Sequence, residues 1–133
     1  MVDIENELFT IIANELRLQF PGINIAGEYV KTPSSFPHVT IMEEDNSSYK
    51  KTEDSCGENH SQLMYEINVY SNKQSGKKAE CKSIFKAIDE ILSNLGFSRM
   101  TKRSIPNLED STIHRMLGRY TAIVNNNKII YRG

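Results

Sequence analysis

The sequence has no tryptophan, only two cysteines and no long hydrophobic run. Cys56 and Cys81 form no CxxC pair, which predicts two reduced thiols, with Cys81 packed in the core. No apolar stretch approaches the roughly 20 residues that cross a bilayer. The first residues, MVDIENELF, are acidic where a secretory signal is basic, so we expect a cytoplasmic protein.

Recognisable catalytic and metal-binding patterns are missing as well. His38, His60 and His114 lie in separate segments, without the i, i+4 helical spacing or the cysteine pairing of a metal site. The serines have no GxSxG context, and no Walker glycine run or EF-hand pattern occurs. A nucleophile pair of Cys56 and His60 is the one enzymatic alternative, and no third group is identifiable for it. We therefore expect no catalytic residue, no metal and no cofactor.

What the chain does have is an uneven charge distribution over an ordinary globular composition. The 133 residues are 38% hydrophobic and 25% charged, with a net charge of −1. Residues 1–60 hold eleven acids and four bases, whereas residues 97–133 hold two acids and seven bases. Three interpretations remain open: solvated faces of opposite charge, a nucleic-acid-binding basic segment, or attraction between copies of the chain.

Hydrophobic periodicity predicts two helices and six strands. One amphipathic helix covers residues 3–20, with Asp3 as its N-cap, and Pro21-Gly22 ends it. A second helix covers residues 77–95 and is followed by Gly96 in the place of a left-handed C-terminal cap. The predicted strands cover residues 23–30, 38–42, 63–71, 97–104, 112–125 and 128–132.

The order of these elements predicts an α+β fold: a single domain over residues 1–133, with an antiparallel or mixed sheet and two helices packed on one face. Leu63, Tyr65, Ile67 and Val69 alternate with more polar residues, so we expect them in the core and the other strand face in solvent. The second strand and the last strand are the predicted sheet edges, where pairing with other chains is possible.

A long polar segment, residues 44–61, follows the second predicted strand. It contains acids, serines, asparagines and Gly57 without apolar periodicity, so it is predicted to be a mobile loop. Loops of this length within a compact domain are usually functional or disordered. The composition leaves open whether this loop binds a substrate, a nucleic acid or another protein chain.

Four runs of the sequence resemble the small tail-terminator and head-tail joining proteins of long-tailed bacteriophages and prophages. They are FPHVTIMEEDNS, YEINVYSNKQSGKKAE, LGF and PNLEDSTIHRMLGRYTAIV. The resemblance covers residues 25–133 and concerns the order and texture of the elements, with no catalytic signature. It implies an α+β domain that forms a ring, typically a hexamer, which caps the finished tail tube and joins it to the head connector.

The same resemblance implies the partners and the contact residues. The partners would be further copies of the chain, the tail-tube protein and the head-tail connector, with a passing contact to DNA in the lumen and none to a membrane. Arg115 and Arg119 would lie near a subunit contact, and the segment 44–61 would meet a neighbouring ring through Glu44, Asp45, Tyr49, Lys50 and Lys51. Two alternatives stay open: a neck protein on the connector side, and a nucleic-acid-binding module that uses the basic C-terminal third.

Overall fold

A computed structural model describes residues 3–28, 33–48, 60–105, 112–125 and 130–131 of the chain. These residues form two helices and a six-stranded mixed sheet, which confirms the predicted α+β class. In chain order the elements are α1 (Glu5–Gln19), β1 (Asn24–Ala26), β2 (His38–Ser48), β3 (His60–Ser71), α2 (Lys77–Leu95), β4 (Ser98–Ile105), β5 (His114–Asn125) and β6 (Ile130–Tyr131).

The strand order of the sheet is β1-β2-β3-β5-β4. Strand β1 runs parallel to β2, and every other pairing is antiparallel. Because β5 pairs with β3 along its whole length, the short β6 lies on the β4 side of β5. The sheet therefore begins with N-terminal strands at one edge and ends with the basic strand β4 at the other.

Both helices pack on one face of this sheet and enclose a single hydrophobic core. Helix α1 contributes Leu8, Ile12 and Leu16 to it, and α2 contributes a longer apolar stripe that includes Phe85 and Ile88. The sheet supplies alternate residues, and the predicted core face of β3 is confirmed, because Leu63, Tyr65, Ile67 and Val69 are all fully buried. At about 25 cal/mol per Å² of apolar surface, this burial is the main force that holds the two layers together.

The prediction that the other strand face is solvated is wrong for β3. Asn68 and Tyr70 point away from the helices, yet their exposures are 0% and 1%, and that of Glu66 is 7%. Neighbouring side chains account for part of this burial, because the Tyr70 ring lies between the His38 ring and the Arg115 guanidinium. Residues of this helix-free face therefore belong to a polar, hydrogen-bonded layer.

Strand β2 is longer than the sequence predicts. It continues past Met42 to Ser48, with a bulge between Glu43 and Asp45, and residues 45–48 pair with residues 61–64 of β3. The predicted loop of residues 44–61 is therefore shorter, since its two ends are strand, and residues 49–59 lie outside the described residues. Pairing with β3 gives the polar run EEDNSS an extended conformation that its own composition does not favour.

The ends of the helices follow local chemistry. Helix α1 begins at Glu5 rather than at residue 3, and Asp3 Oδ1 accepts a hydrogen bond of 3.0 Å from the Glu5 N–H, so Asp3 caps the first turn from just outside. Helix α2 has the predicted bounds, and Gly96 takes the left-handed conformation with φ 103°. Within the described chain, neither helix is long and apolar enough to cross a membrane.

Candidate assembly surfaces

The two arginines singled out in the sequence lie on the helix-free face of β5, as their even spacing predicts. Arg119 lies opposite Glu66 of β3, and its Nε and Nη2 donate to Glu66 Oε1 at 3.3 and 3.2 Å. The Glu66 side chain is only 10% exposed, against 44% for Arg119. Arg119 therefore neutralises a largely buried carboxylate of its own chain.

Arg115 is also engaged within the chain. Its Nε donates to Asn68 Oδ1 at 2.9 Å, and its guanidinium lies 5.6 Å from the centroid of the Tyr70 ring, a cation–π distance. A glutamate at either arginine position would face the acceptor side chains of β3. Reversal of these charges would therefore perturb the monomer as well as any interface, and it is a poor test of assembly.

The acidic residues of the predicted contact lie two strands away from the arginines. Glu44 is the extra residue of the β2 bulge, and Asp45 follows it on the helix-free side, opposite Met64. Both are exposed, whereas β3 separates them from Arg115 and Arg119 on β5. The structure thus does not bring the two groups together within one chain. Tyr49, Lys50 and Lys51 lie outside the described residues.

A cluster of carboxylates joins α1 to β2 on the helix side of the sheet. Glu43 Oε1 accepts hydrogen bonds from Tyr65 Oη at 3.2 Å and Asn46 Nδ2 at 3.5 Å. Burial raises the pKa of Glu43 above its ordinary value, and the nearby charges of Glu5 and Asp3 raise it further against the Tyr65 hydrogen bond. Burial, together with the Glu43 charge, also raises the pKa of Tyr65, so its hydroxyl remains a donor.

Beside this cluster is an open cleft between α1, the end of β1 and Ile41 of β2. Its volume is about 490 Å³. Its lining includes two acidic residues and two large apolar ones, and in full it consists of Glu5, Asn6, Phe9, Ala26, Gly27, Glu28 and Ile41. The edge formed by α1, β1 and β2, here called the acidic edge, holds eight acids and one base among residues 3–28 and 33–48.

The opposite edge of the sheet is basic, and a row of lysines on α2 adds to the cations of β4. Lys78, Lys82 and Lys86 are exposed at i, i+4 spacing on α2, and their row runs along the outer side of the helix. Burial lowers the pKa of His114, and the charges of Lys78, Lys77 and Lys82 lower it further. These lysines therefore come close to the start of β5.

Strand β4 completes this basic edge with Arg99, Lys102 and Arg103. Lys102 Nζ lies 5.5 Å from the centroid of the Phe85 ring, and Arg99 Nη1 lies 3.3 Å from Asp89 Oδ1. The basic edge is defined here as residues 73–103 of α2, β4 and the loop before α2. It holds eight bases and three acids.

The opposed edges were only half visible in the sequence. The charges along the chain indicate an acidic N-terminal part and a basic C-terminal part, but the α2 lysines lie between the two. Strand β5 inserts between β3 and β4, and this insertion places β4 at the far edge of the sheet. No linear pattern in the charges encodes that strand order.

Metal ligands and thiols are the other candidate groups in the described chain. Residues 3–28, 33–48, 60–105, 112–125 and 130–131 contain no group of three His, Cys, Asp or Glu residues placed to hold a metal. Cys81 is fully buried, its Sγ contacts the carbonyls of Val69 and His114, and burial raises its pKa to about 12, so it is a core thiol as predicted. Cys56 lies outside the described residues, so its suggested pairing with His60 stays a prediction.

Comparison with known proteins gives no assignment. No protein-family model matches the chain, and none of the curated proteins is similar to it.

Proposed function

We propose that this protein is a non-catalytic structural protein that forms a ring, typically of six copies, and caps the tail tube of a long-tailed bacteriophage or prophage. In this role the ring joins the tail to the head connector, and the protein is assembled in the cytoplasm of the host bacterium. The proposal rests on the resemblance of four sequence runs to tail-completion proteins and on one structural observation, the opposite charges of the two sheet edges.

The opposed edges favour head-to-tail association over a symmetric dimer. A two-fold contact brings the same surface of each copy together, which would place acids against acids or bases against bases. A heterologous contact brings the acidic edge of one copy to the basic edge of the next, and such contacts close into a ring when the rotation between copies fits. Complementary charges of this kind orient the partners and speed their encounter.

Particle mass, measured by light scattering with and without purified tail tubes of the parent phage, tests this proposal. We expect a discrete ring mass at low salt, and fewer rings as salt screens the edges. Lys86→Glu should weaken assembly, because it reverses an exposed charge of the basic edge. The matched control Arg17→Glu reverses an exposed charge on α1 and should leave assembly intact. A folded protein that remains monomeric under all conditions, with tubes and without, would refute the proposal.

The row of lysines on α2 also favours a second candidate, the binding of DNA that passes through the neck. Phosphate neutralisation by Lys78, Lys82, Lys86 and the cations of β4 would make this affinity fall steeply with salt. Titration of a short duplex at several salt concentrations separates the two candidates. A steep salt slope without any ring mass would favour the DNA-binding module. The remaining alternative is a neck protein on the connector side. Loss of such a protein should leave tail length normal, whereas loss of a tail cap should lengthen the tails.

A further inference from the structure

The two longest strand edges without a neighbouring strand among the described residues belong to β2 and β4. Strand β1 pairs with only three of the eleven residues of β2, His38–Thr40, so no described strand lies on the outer side of residues 41–48. Strand β4, with eight residues, ends the sheet on the opposite side. Such edges present unpaired backbone N–H and C=O groups and are templates for pairing with another chain.

The surroundings of the β2 edge fit a strand that carries cations. The lining of the cleft beside it includes the apolar side chains of Phe9 and Ile41 and the acidic residues Glu5 and Glu28. Glu5 Oε2 accepts a hydrogen bond of 3.3 Å from the Glu43 N–H, a backbone donor of β2. A side-chain carboxylate thus occupies the position that the carbonyl of an added strand would take.

The charges of β4 and β2 match on each face of the sheet. On the helix side, β4 carries Arg99 and Lys102, while Glu5 and Glu43 lie on that side of the β2 edge. On the helix-free side, β4 carries the cation Arg103 and β2 carries the carboxylate Asp45. A sheet that continued from one copy into the next would place unlike charges together on both of its faces.

The strand directions agree with such a continuation. Strand β2 is antiparallel to β3, β3 to β5, and β5 to β4, so β2 and β4 run in opposite directions. Copies related by rotation about an axis along the strands keep these directions. Strand β4 of one copy would therefore lie antiparallel to β2 of the next, with the helices of all copies on the same face of the sheet.

We infer that the contact between copies is an intermolecular β-sheet, in which β4 of one copy pairs antiparallel with residues 41–48 of the next. Glu5 would release the Glu43 N–H to the incoming strand and turn to a cation of β4. This inference rests on the proposed ring and names its contact.

Each of the two strands has a bulge, at Glu44 in β2 and at Met100 in β4, and the charges on both edges make like pairings unfavourable. An acidic β2 repels another β2, and a basic β4 repels another β4, so only the unlike pair of edges is compatible. Met100, at the β4 bulge, is 57% exposed and would find apolar cover in the contact.

Disulfide cross-linking tests the inference, because directly opposed residues of paired strands have Cβ atoms roughly 4.5–5.5 Å apart, within reach of a disulfide after small shifts. In a Cys56→Ser background, the chain carries Asp45→Cys together with a cysteine at Thr101, Arg103 or Ile105, one at a time. All four positions lie on the helix-free side of their strands. Mild oxidation should produce a ladder of multimers from at least one pair, and the most efficient pair gives the register.

Controls make the result specific. Each chain with one added cysteine should form dimers at most. Asp45→Cys combined with Ser83→Cys should form no ladder, because Ser83 is exposed on α2, on the helix side of the sheet, whereas Asp45 lies on the helix-free side. No ladder from any of the three pairs would overturn the inference, and rings of normal mass in those samples would show that the proposed function stands without it. Efficient cross-linking in a protein that does not bind tail tubes would support the strand pairing and remove the proposed role.

Discussion

Gly118 offers the sharpest test of how the sheet packs against α2. It lies in the middle of β5, and a Cβ built on it would approach Phe85 Cζ to 2.1 Å. Ordinary contact begins at 3.4 Å, so the ring would have to retreat by more than one ångström. Phe85 is fully buried, stacks on Tyr120 with ring centroids 6.3 Å apart, and lies under Lys102, so the ring has little space to move.

We therefore expect Gly118→Ala to lower the free energy of unfolding. Overpacking of a core costs roughly 1–3 kcal/mol. Replacing glycine in a strand returns about 0.5–1 kcal/mol of backbone entropy. The overpacking term is larger, so the expected net loss is about 1–2 kcal/mol, measured by urea denaturation.

Two further variants control this measurement. Gly27→Ala should change stability by less than about 0.5 kcal/mol, because its Cβ would meet Phe9 at an ordinary 3.9 Å. In a Phe85→Leu background the cost of Gly118→Ala should shrink by about 1 kcal/mol, since the two residues are in contact. A Gly118→Ala protein as stable as the unmodified chain would refute the packing described here.

The remaining predictions concern single buried groups. Ile88→Asp should lower the free energy of unfolding by more than about 3 kcal/mol, seen by thermal melting, because it buries an unpaired charge beneath the sheet. Thr40→Val should raise it by about 1 kcal/mol, since the buried Thr40 hydroxyl has no hydrogen-bond partner in the described chain. Thr121→Val on the same face should lower it by about 1 kcal/mol, since its hydroxyl donates to a β3 carbonyl at 2.9 Å, and urea denaturation of both variants would contradict this contrast if the changes had the same sign. Burial lowers the pKa values of His38 and His114 below 6.5, so the unfolded chain binds protons first, and stability should fall as pH drops through and below 6.5. The free energy of unfolding, measured by denaturation one pH unit above and one below that value, checks this for the unmodified chain and for His38→Gln. A His38→Gln protein that kept the full pH dependence would contradict the prediction.

The second helix shows what the sequence alone could supply. Its bounds, residues 77–95, follow from a continuous apolar stripe and from glycines that take left-handed conformations at both of its ends. Because both signals are local, no tertiary information is needed to read them.

Strand β2 and the helix-free face are features that local sequence patterns do not predict. Residues Glu43–Ser48 have neither alternation nor strand propensity, and their extended form comes from pairing with β3. The buried Glu66 and Asn68 looked like solvated residues in the sequence. They are satisfied by Arg119 and Arg115, about fifty positions along the chain, which only the register of β3 against β5 brings opposite them.

The candidate contact surfaces have the same limit. The sequence shows that acids concentrate in the N-terminal part and bases in the C-terminal part. That these charges lie at opposite edges of the sheet depends on the strand order. The sequence analysis selects Arg115 and Arg119 as contact residues, and both donate hydrogen bonds to side chains of their own chain. Their contact with another subunit stays a prediction, whereas Lys86, Lys102 and Arg103 are better placed for its test.

In the role we propose, the protein ends tail growth, and tail length is the quantity that reports this. In lysates of the parent phage or prophage with the gene removed, electron microscopy should show tubes longer than normal and no attached heads, because nothing caps the growing end. Supplying the protein in trans should restore the normal length. Tails of normal length that merely lack heads would contradict the account and indicate a neck protein on the connector side.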